Sequence, residues 1–500
     1  MKKIYFLGVP LIMLLVSGCT KFLARQENLT DFVSSTTFYK TPTQIDEALN
    51  GAYSSLRSLY SAGGNFWGMT EMTSDNTTFE YNNQDRGSLE LENMDYFMVT
   101  TDNNYLLSMW SSIYNTISQC NGVLDNIGSA SYTDDSARNQ AIGQAEFIRA
   151  LEYFNLVRLW GSVPLIVHQV TTPSKAYTSK SSVDSVYLQI INDVTDAIAK
   201  LPTDWSSSGI GRATKGAAYT LLGEVYMTRK DFPSAIKEFQ NVTGYSLLPN
   251  YADLYDPANK NNPESIFEIQ YSAAIQGQAS NYLYTFAPLY SGFATIGSFD
   301  PNSGAGRNIP TRDLIASYEK GDKRKAASIA WFVDPLNITN GYVEAQHDSV
   351  PYINKYAAKP IVSNEQDNDF YVYRYADVLL WLSEAENEVN GPTAAAYSPL
   401  NQVRNRAGLP NLRSGLSQDA FRTAIYHEER QEEAFEDHRW FQLLRTGQAL
   451  TVMSKNGVEQ KAYQTWLPPT AYDIQDYMLL FPIPLNEVTL NNLTQNPGWH

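Results

Sequence analysis

Apolar residues recur at three- and four-residue steps over long stretches of the chain, the spacing that gathers them on one face of an α-helix. The first stripe is Ile45, Leu49, Ala52, Leu56 and Leu59, behind the start signal Thr43 with Asp46 and Glu47 in the first turn. A second runs over 104–127 through Leu107, Trp110, Ile113, Tyr114, Ile117 and Val123, and a third holds Ile142, Ala145, Ile148, Tyr153, Leu156 and Leu159 before Gly161 and Pro164 stop it. The same spacing predicts helices over 183–201, 214–228, 233–242, 371–389, 394–406 and 418–445. It lapses twice: over 62–101, rich in Gly, Asn, Thr and rings, and from 265 to about 369, where glycines punctuate a run of Tyr and Phe. Connections that long are usually functional.

Leu222-Gly223-Glu224-Val225-Tyr226, followed by Ala235 and Phe239, matches the core of a tetratricopeptide repeat. Tyr219 stands at the usual Trp, Val242 at the later small position and Leu247 at the closing Pro. Small residues at Gly223 and Ala235 let two antiparallel helices approach, and the rings of Tyr226 and Phe239 fill what remains. The predicted fold is therefore mainly α: stacked tetratricopeptide-like repeats carrying large, irregular, aromatic-rich loops and a few short strands.

Lys2 and Lys3 precede an apolar run, Ile4 to Val16, too short to cross a bilayer and closed by small residues, which reads as a secretory signal. Val16-Ser17-Gly18-Cys19 resembles a bacterial lipobox, making Cys19 the acylated first residue of the mature chain, held to the membrane by more than one acyl chain. The division that follows is a signal peptide over 1–18, a lipid-anchored tether over 19–42 and a body over 43–500, with a helical-repeat part over 43–260 and a part bearing ligand loops over 261–500. Cys120 is then the one remaining cysteine, and its place on a helical pattern marks it as a small buried hydrophobe.

Lys+Arg 37 against Asp+Glu 53 leaves a net charge of -16 with no basic block, which excludes a nucleic-acid partner. Nucleophile-elbow, P-loop and dinucleotide motifs are absent, and His427-Glu428-Glu429 lacks a second zinc ligand because position 431 is Gln. The densest charge run is Glu428, Glu429, Glu432, Glu433, Glu436 and Asp437 with Arg430, Arg439 and Arg445. Read as one helix, it has acids early and arginines late, as the helix dipole favours, and it is expected to be a structural network rather than a glycosidase carboxylate pair. No catalytic residue, cofactor or metal is assigned. What remains is aromatic: Tyr 33, Phe 21 and Trp 9 in a chain only 18% charged. Flat rings suit the C–H faces of sugars while nearby amides, carboxylates and guanidinium groups take their hydroxyls. The ligand-binding candidates are Trp67, Asp75, Asn76, Tyr81, Arg86 and Tyr96 in the first loop region and Tyr284, Tyr290, Phe293 and Trp331 in the second.

Five blocks, AEFIRALEYFNLVRLWGSVPLI (145–166), RYADVLLWLSEAENEVNG (374–391), LNQVRNRAGLP (400–410), EERQEEAFEDHRWFQLLR (428–445) and FPIPLNEVTLNNLTQNPGW (481–499), resemble in sequence and order the SusD/RagB family of Bacteroidetes outer-membrane nutrient-binding lipoproteins. The resemblance implies a helical-repeat scaffold, a loop-built ligand face, no catalysis, and a TonB-dependent SusC-like β-barrel partner over which the lipoprotein sits. It also implies lipid anchoring at the outer membrane facing the cell surface, although Thr20-Lys21-Phe22-Leu23-Ala24 lacks the acidic residues that often accompany such export. The expected function is capture of an oligo- or polysaccharide and its delivery to the transporter; the alternative on the same scaffold is a peptide or other non-glycan nutrient. Because the five blocks are scaffold, the resemblance assigns no ligand residue by matching.

Overall fold

The computed structural model describes residues 38–79, 87–172, 177–289, 291–297, 304–333, 349–360 and 362–499. The signal, the lipobox and Cys19 lie outside them. Eleven of the longer helices are numbered here: α1 Pro42–Tyr60, α2 Asn104–Asn126, α3 Asp135–Trp160, α4 Val183–Lys200, α5 Lys215–Thr228, α6 Phe232–Gln240, α7 Tyr375–Asn390, α8 Ala394–Arg406, α9 Gln418–Glu432, α10 Arg439–Thr446 and α11 Ala449–Tyr463. From α1 to α8 each helix packs against the next, the layered order of a helical-repeat stack. The mainly α reading holds. Helix α3 is buried on nearly every side from Gly143 to Trp160 and forms the centre of the first half of the stack.

Local chemistry sets the helix ends. Helix α1 begins two residues earlier than Thr43 suggests: Thr41 is the cap, its Oγ1 accepting from the Gln44 amide at 3.3 Å while the Gln44 side chain accepts from the Thr41 amide at 3.2 Å, with Pro42 in the first helical position. The predicted 371–389 helix is a strand followed by a helix. Phe370–Arg374 forms β8 and α7 starts at Tyr375, where the Asp377 carboxylate accepts from the Arg374 amide at 2.8 Å.

Short antiparallel strand pairs join distant segments. β1 (Thr77–Thr78) pairs with β5 (Ile309–Pro310), β2 (Val163–Pro164) with β3 (Lys180–Ser181), β4 (Ser265–Ile269) with β8, and β6 (Ile329–Val333) with β7 (Ser349–Ile353). One contiguous core runs from Ile45 to Leu493 and draws on both halves of the body. Cys120 is fully buried in it, its thiol pushed up by burial.

The expected 418–445 helix is broken. α9 ends at Glu432, residues 433–438 form a turn with Phe435 and Asp437 at positive φ (69° and 66°), and α10 restarts at Arg439. The acidic residues therefore crowd the C-terminal end of α9, where the dipole opposes them, and the dipole argument for this segment is wrong. Buried cations hold them instead. Arg374 donates from Nε to Glu436 at 2.7 Å and from its terminal nitrogens to Glu432, Glu436 and Glu264; Arg406 reaches Glu264 and Glu432; Arg324 reaches Asp322, Glu428 and Glu432; and Lys355 pairs with Glu436. Burial pushes the Glu432 carboxyl up, but Arg406, Arg374 and Arg324 together pull it down to about 2. Burial likewise raises Glu436, and Arg374 and Lys355 bring it down to about 2.

The α5–α6 hairpin confirms the repeat geometry. A Cβ on Gly223 would lie 2.3 Å from the Phe239 ring, which is itself buried against Trp381 of α7 at a 5.9 Å centroid distance. Gly223→Ala is expected to lower stability by about 1–3 kcal/mol through overpacking, read as a fall in the thermal midpoint of unlipidated residues 20–500; an unchanged midpoint would show that the hairpin opens freely.

Candidate functional site

The two loop regions that the sequence places far apart converge. Thr311 donates from Oγ1 to the Asp75 carbonyl at 2.7 Å and from its amide to the Asn76 carbonyl at 2.9 Å, extending the β1–β5 pairing. The Trp67 indole donates to the Ala62 carbonyl at 3.0 Å and meets Phe286 edge-on at 5.3 Å. Beneath this seam lies the α9–α10 turn. Arg439 takes the Asp75 carboxylate at 2.7 and 3.0 Å, and Arg430 binds the Asn76 side chain and the Asp75 carbonyl. The Glu71 carboxylate accepts the amides of Phe435 and Asp437 at 3.1 and 3.2 Å, which accounts for the strained backbone of that turn.

Four of the ten expected ligand residues are thereby interior. Trp67, Asp75, Asn76 and Tyr96 are buried, and the expectation that they face a ligand is corrected: Trp67 joins the loops, Asp75 and Asn76 staple the first loop to α9 and α10, and the Tyr96 hydroxyl donates to the Phe79 carbonyl at 2.9 Å. Burial raises the Asp75 carboxyl, but Arg430 and Arg439 bring it to about 2, so it is a structural anion. Tyr81, Arg86 and Tyr290 lie outside the described residues, as does the Phe293 side chain. Tyr284 is half-buried, packed with Tyr352 against Leu283, Ala287 and Ile296.

Trp331 is different. It stands on the β6–β7 ribbon opposite Pro351, with Ala330 opposite Tyr352 one position on. Strand alternation therefore puts Tyr352 on one face and Trp331, Val333 and Pro351 on the other. The Tyr352 face packs inward, and on the outward face Trp331 and Val333 are 49% and 61% exposed. Where the strands enter the body, Ile329 and Ile353 are buried as a facing pair. At this foot lies an open cavity of about 540 Å³ whose lining includes Tyr255, Asp256, Ala327, Asn354, Lys359 and Asp367. The exposed indole can stack on a ring, and the carboxylate, amide and ammonium groups that line the cavity at the ribbon foot can hydrogen-bond hydroxyls. Sequence reasoning missed Asp256, Asn354, Lys359 and Asp367, because nothing in their local pattern distinguishes them from ordinary loop polarity.

The carboxylates considered for glycoside hydrolysis are enclosed, Glu432 and Glu436 within the arginine network and Glu429 between Arg445, Gln442 and the Trp381 indole. Among the described residues no group of three or more His, Cys, Asp or Glu side chains is placed to hold a metal ion, and no helix is long and apolar enough to cross a membrane.

Comparison with known proteins places these features. A model described as the SusD family matches residues 337–499, and one described as starch-binding, associating with outer membrane, matches residues 21–227. SusD-like protein P2 of Formosa agariphila is 28% identical over 531 aligned residues, covering 100% of both chains. SusD-like protein P25 of the same organism is 26% identical, covering 95% of this chain and 94% of its own. Among solved structures, a laminarin-binding SusD-like protein superposes with a TM-score of 0.77 at 27% identity, covering 92% of this chain and 100% of its own.

Two outcomes are expected from the buried acids. Asp75→Asn leaves the buried Arg439 guanidinium without a carboxylate partner among the described residues and Arg430 with Asp313 alone, and is expected to cost about 3–5 kcal/mol at neutral pH. The contribution of Asp75 is present above the ordinary carboxylate range and is lost as pH falls toward about 2, so parent and variant melting curves should converge in acid. Glu71 behaves oppositely. Burial raises its carboxyl to about 7 against hydrogen bonds from Asn76 and the Phe435 and Asp437 amides, so its contribution is present below about pH 4 and is lost as pH rises through about 7. Glu71→Gln should flatten the decline in thermal midpoint between pH 5 and pH 8; an unaltered slope would refute this account.

Proposed function

The chain belongs to the SusD/RagB family, and on that premise we propose that it captures an oligo- or polysaccharide at the cell surface and passes it to a TonB-dependent SusC-like barrel without breaking a bond. The observation that carries the reading is Trp331, a half-exposed indole held outward on a ribbon whose foot borders a polar cavity, on a scaffold shared with a protein that binds laminarin. Stacking on a neutral ring uses the indole face, and discrimination between sugars falls to the hydroxyl partners at the ribbon foot. Non-catalytic action is supported by the densest carboxylate cluster being an interior ion network. Acylated Cys19 would tether the body to the outer membrane, which agrees with the outer-membrane association of the family matched over 21–227.

The test is affinity electrophoresis of unlipidated residues 20–500 in gels carrying single neutral or acidic polysaccharides. Retardation by at least one polymer is expected. Trp331→Ala should weaken it about tenfold or more, roughly 1.4 kcal/mol, with no change in thermal midpoint. Uniform mobility in every gel, together with calorimetric binding of peptides, would replace the glycan with a peptide nutrient.

A further inference from the structure

A second cavity, of about 370 Å³, opens on the helical-repeat side between the α4–α5 connection and the start of β4. None of its lining residues belongs to the loop seam or to the ribbon and its foot. We propose that it is a separate binding subsite for a short, neutral saccharide, with Trp205 and Tyr245 as its ring surfaces and Glu268 as its buried hydrogen-bonding group.

Both rings are fixed before any ligand arrives. The Trp205 indole donates to the Ala213 carbonyl at 2.8 Å, and the Tyr245 hydroxyl lies 3.0 Å from Thr214 Oγ1, so the polar end of each ring is engaged and its apolar surface remains to be used. Glycine backbone buttresses them closely: a Cβ on Gly209 would lie 2.7 Å from the indole, and one on Gly216 2.5 Å from the Tyr245 hydroxyl. Preorganised rings bind with little loss of side-chain freedom.

The polar groups select the ligand class. Glu268 is 2% exposed; its Oε1 accepts from the Asn261 amide and, at 3.4 Å, from Gln270, while Oε2 has no hydrogen-bond partner among the described residues. A buried carboxyl oxygen with no formed hydrogen bond is costly unless something donates to it, and Glu268 stands among the residues that line the cavity. Asp204 adds an exposed carboxylate at the rim. The cation of the site, Arg212, is already committed to Asp46, Gln144 and Asn50. An anionic ligand therefore meets two acids and no free cation. Hydroxyl donors on a ring with apolar faces satisfy what remains.

Calorimetric titration of the Trp331→Ala protein, which removes the ribbon indole, isolates this cavity. Laminaribiose, cellobiose and maltose serve as probes, with tetramethylammonium as the cationic comparison. Saturable binding of at least one disaccharide is expected, weakened tenfold or more when Trp205→Ala is added and held within about threefold by Trp205→Phe, which keeps a ring and guards against a folding artefact. The inference is overturned by disaccharide binding indifferent to Trp205, by no saturable disaccharide binding, or by binding of tetramethylammonium alone. Its fate is separable from that of the ribbon site: no retardation of the parent protein by any polysaccharide, with Trp205-dependent disaccharide binding intact, would remove the earlier reading and leave this one.

Discussion

The Arg374 guanidinium, enclosed entirely by protein, is the point from which the rest of the architecture is set. It sits at the junction of β8 and α7 and binds Glu432 at the end of α9 and Glu436 within the α9–α10 turn, as well as Glu264 just before β4. Two more arginines complete the shell, Arg406 from α8 and Arg324 from a short helix before β6. A buried ion network contributes little net stability over an apolar core of the same shape, but removing one partner is severe, and directional bonds allow only one arrangement. Here that arrangement fixes an unfavourable turn. With Phe435 and Asp437 held at positive φ, their amides meet Glu71, and Arg430 and Arg439 meet Asp75 and Asn76. The described part of the first loop region around Asp75 and Asn76 is thereby held to the body, and through Thr311 the described segment 304–311 of the second joins it. Ordering thus passes from an interior salt network to the outer loops without any ligand.

How much of this the sequence revealed depends on the range of the interaction involved. Helices α1 to α6 and the Gly223–Phe239 contact are short-range features, set by apolar spacing and by residues a turn or a hairpin apart, and they were readable. The break after Glu432 was not. Its positive-φ residues are Phe and Asp rather than Gly, so nothing local marks them, and the groups that stabilise them include Glu71, more than 360 positions away. The rings divide in the same way. Trp67 and Trp331 look alike in sequence, each in an irregular, polar, aromatic stretch, but Phe286 and the Ala62 carbonyl claim one and, among the described residues, nothing comparable covers the other. Composition identified the aromatic regions, whereas facing in or out was decided by partners that composition does not name.

The dipole error has the same origin. Acids early and arginines late is a sound rule for a single helix, but the rule was applied across a break it could not see. The acids then fall at a helix C-terminus, and tertiary partners from β8, α8, the short helix before β6 and the segment after β7 make that tolerable.

The β6–β7 ribbon is anchored by Ile329 and Ile353 and turns only its outward face to solvent. Residues on that face can therefore be exchanged with little effect on whether the chain folds, while Asp75 or Arg374 cannot. On the proposed reading, ligand preference has its freedom there: a lineage could change which saccharide it holds by altering a few outward side chains, under no pressure to rebuild the body that carries them.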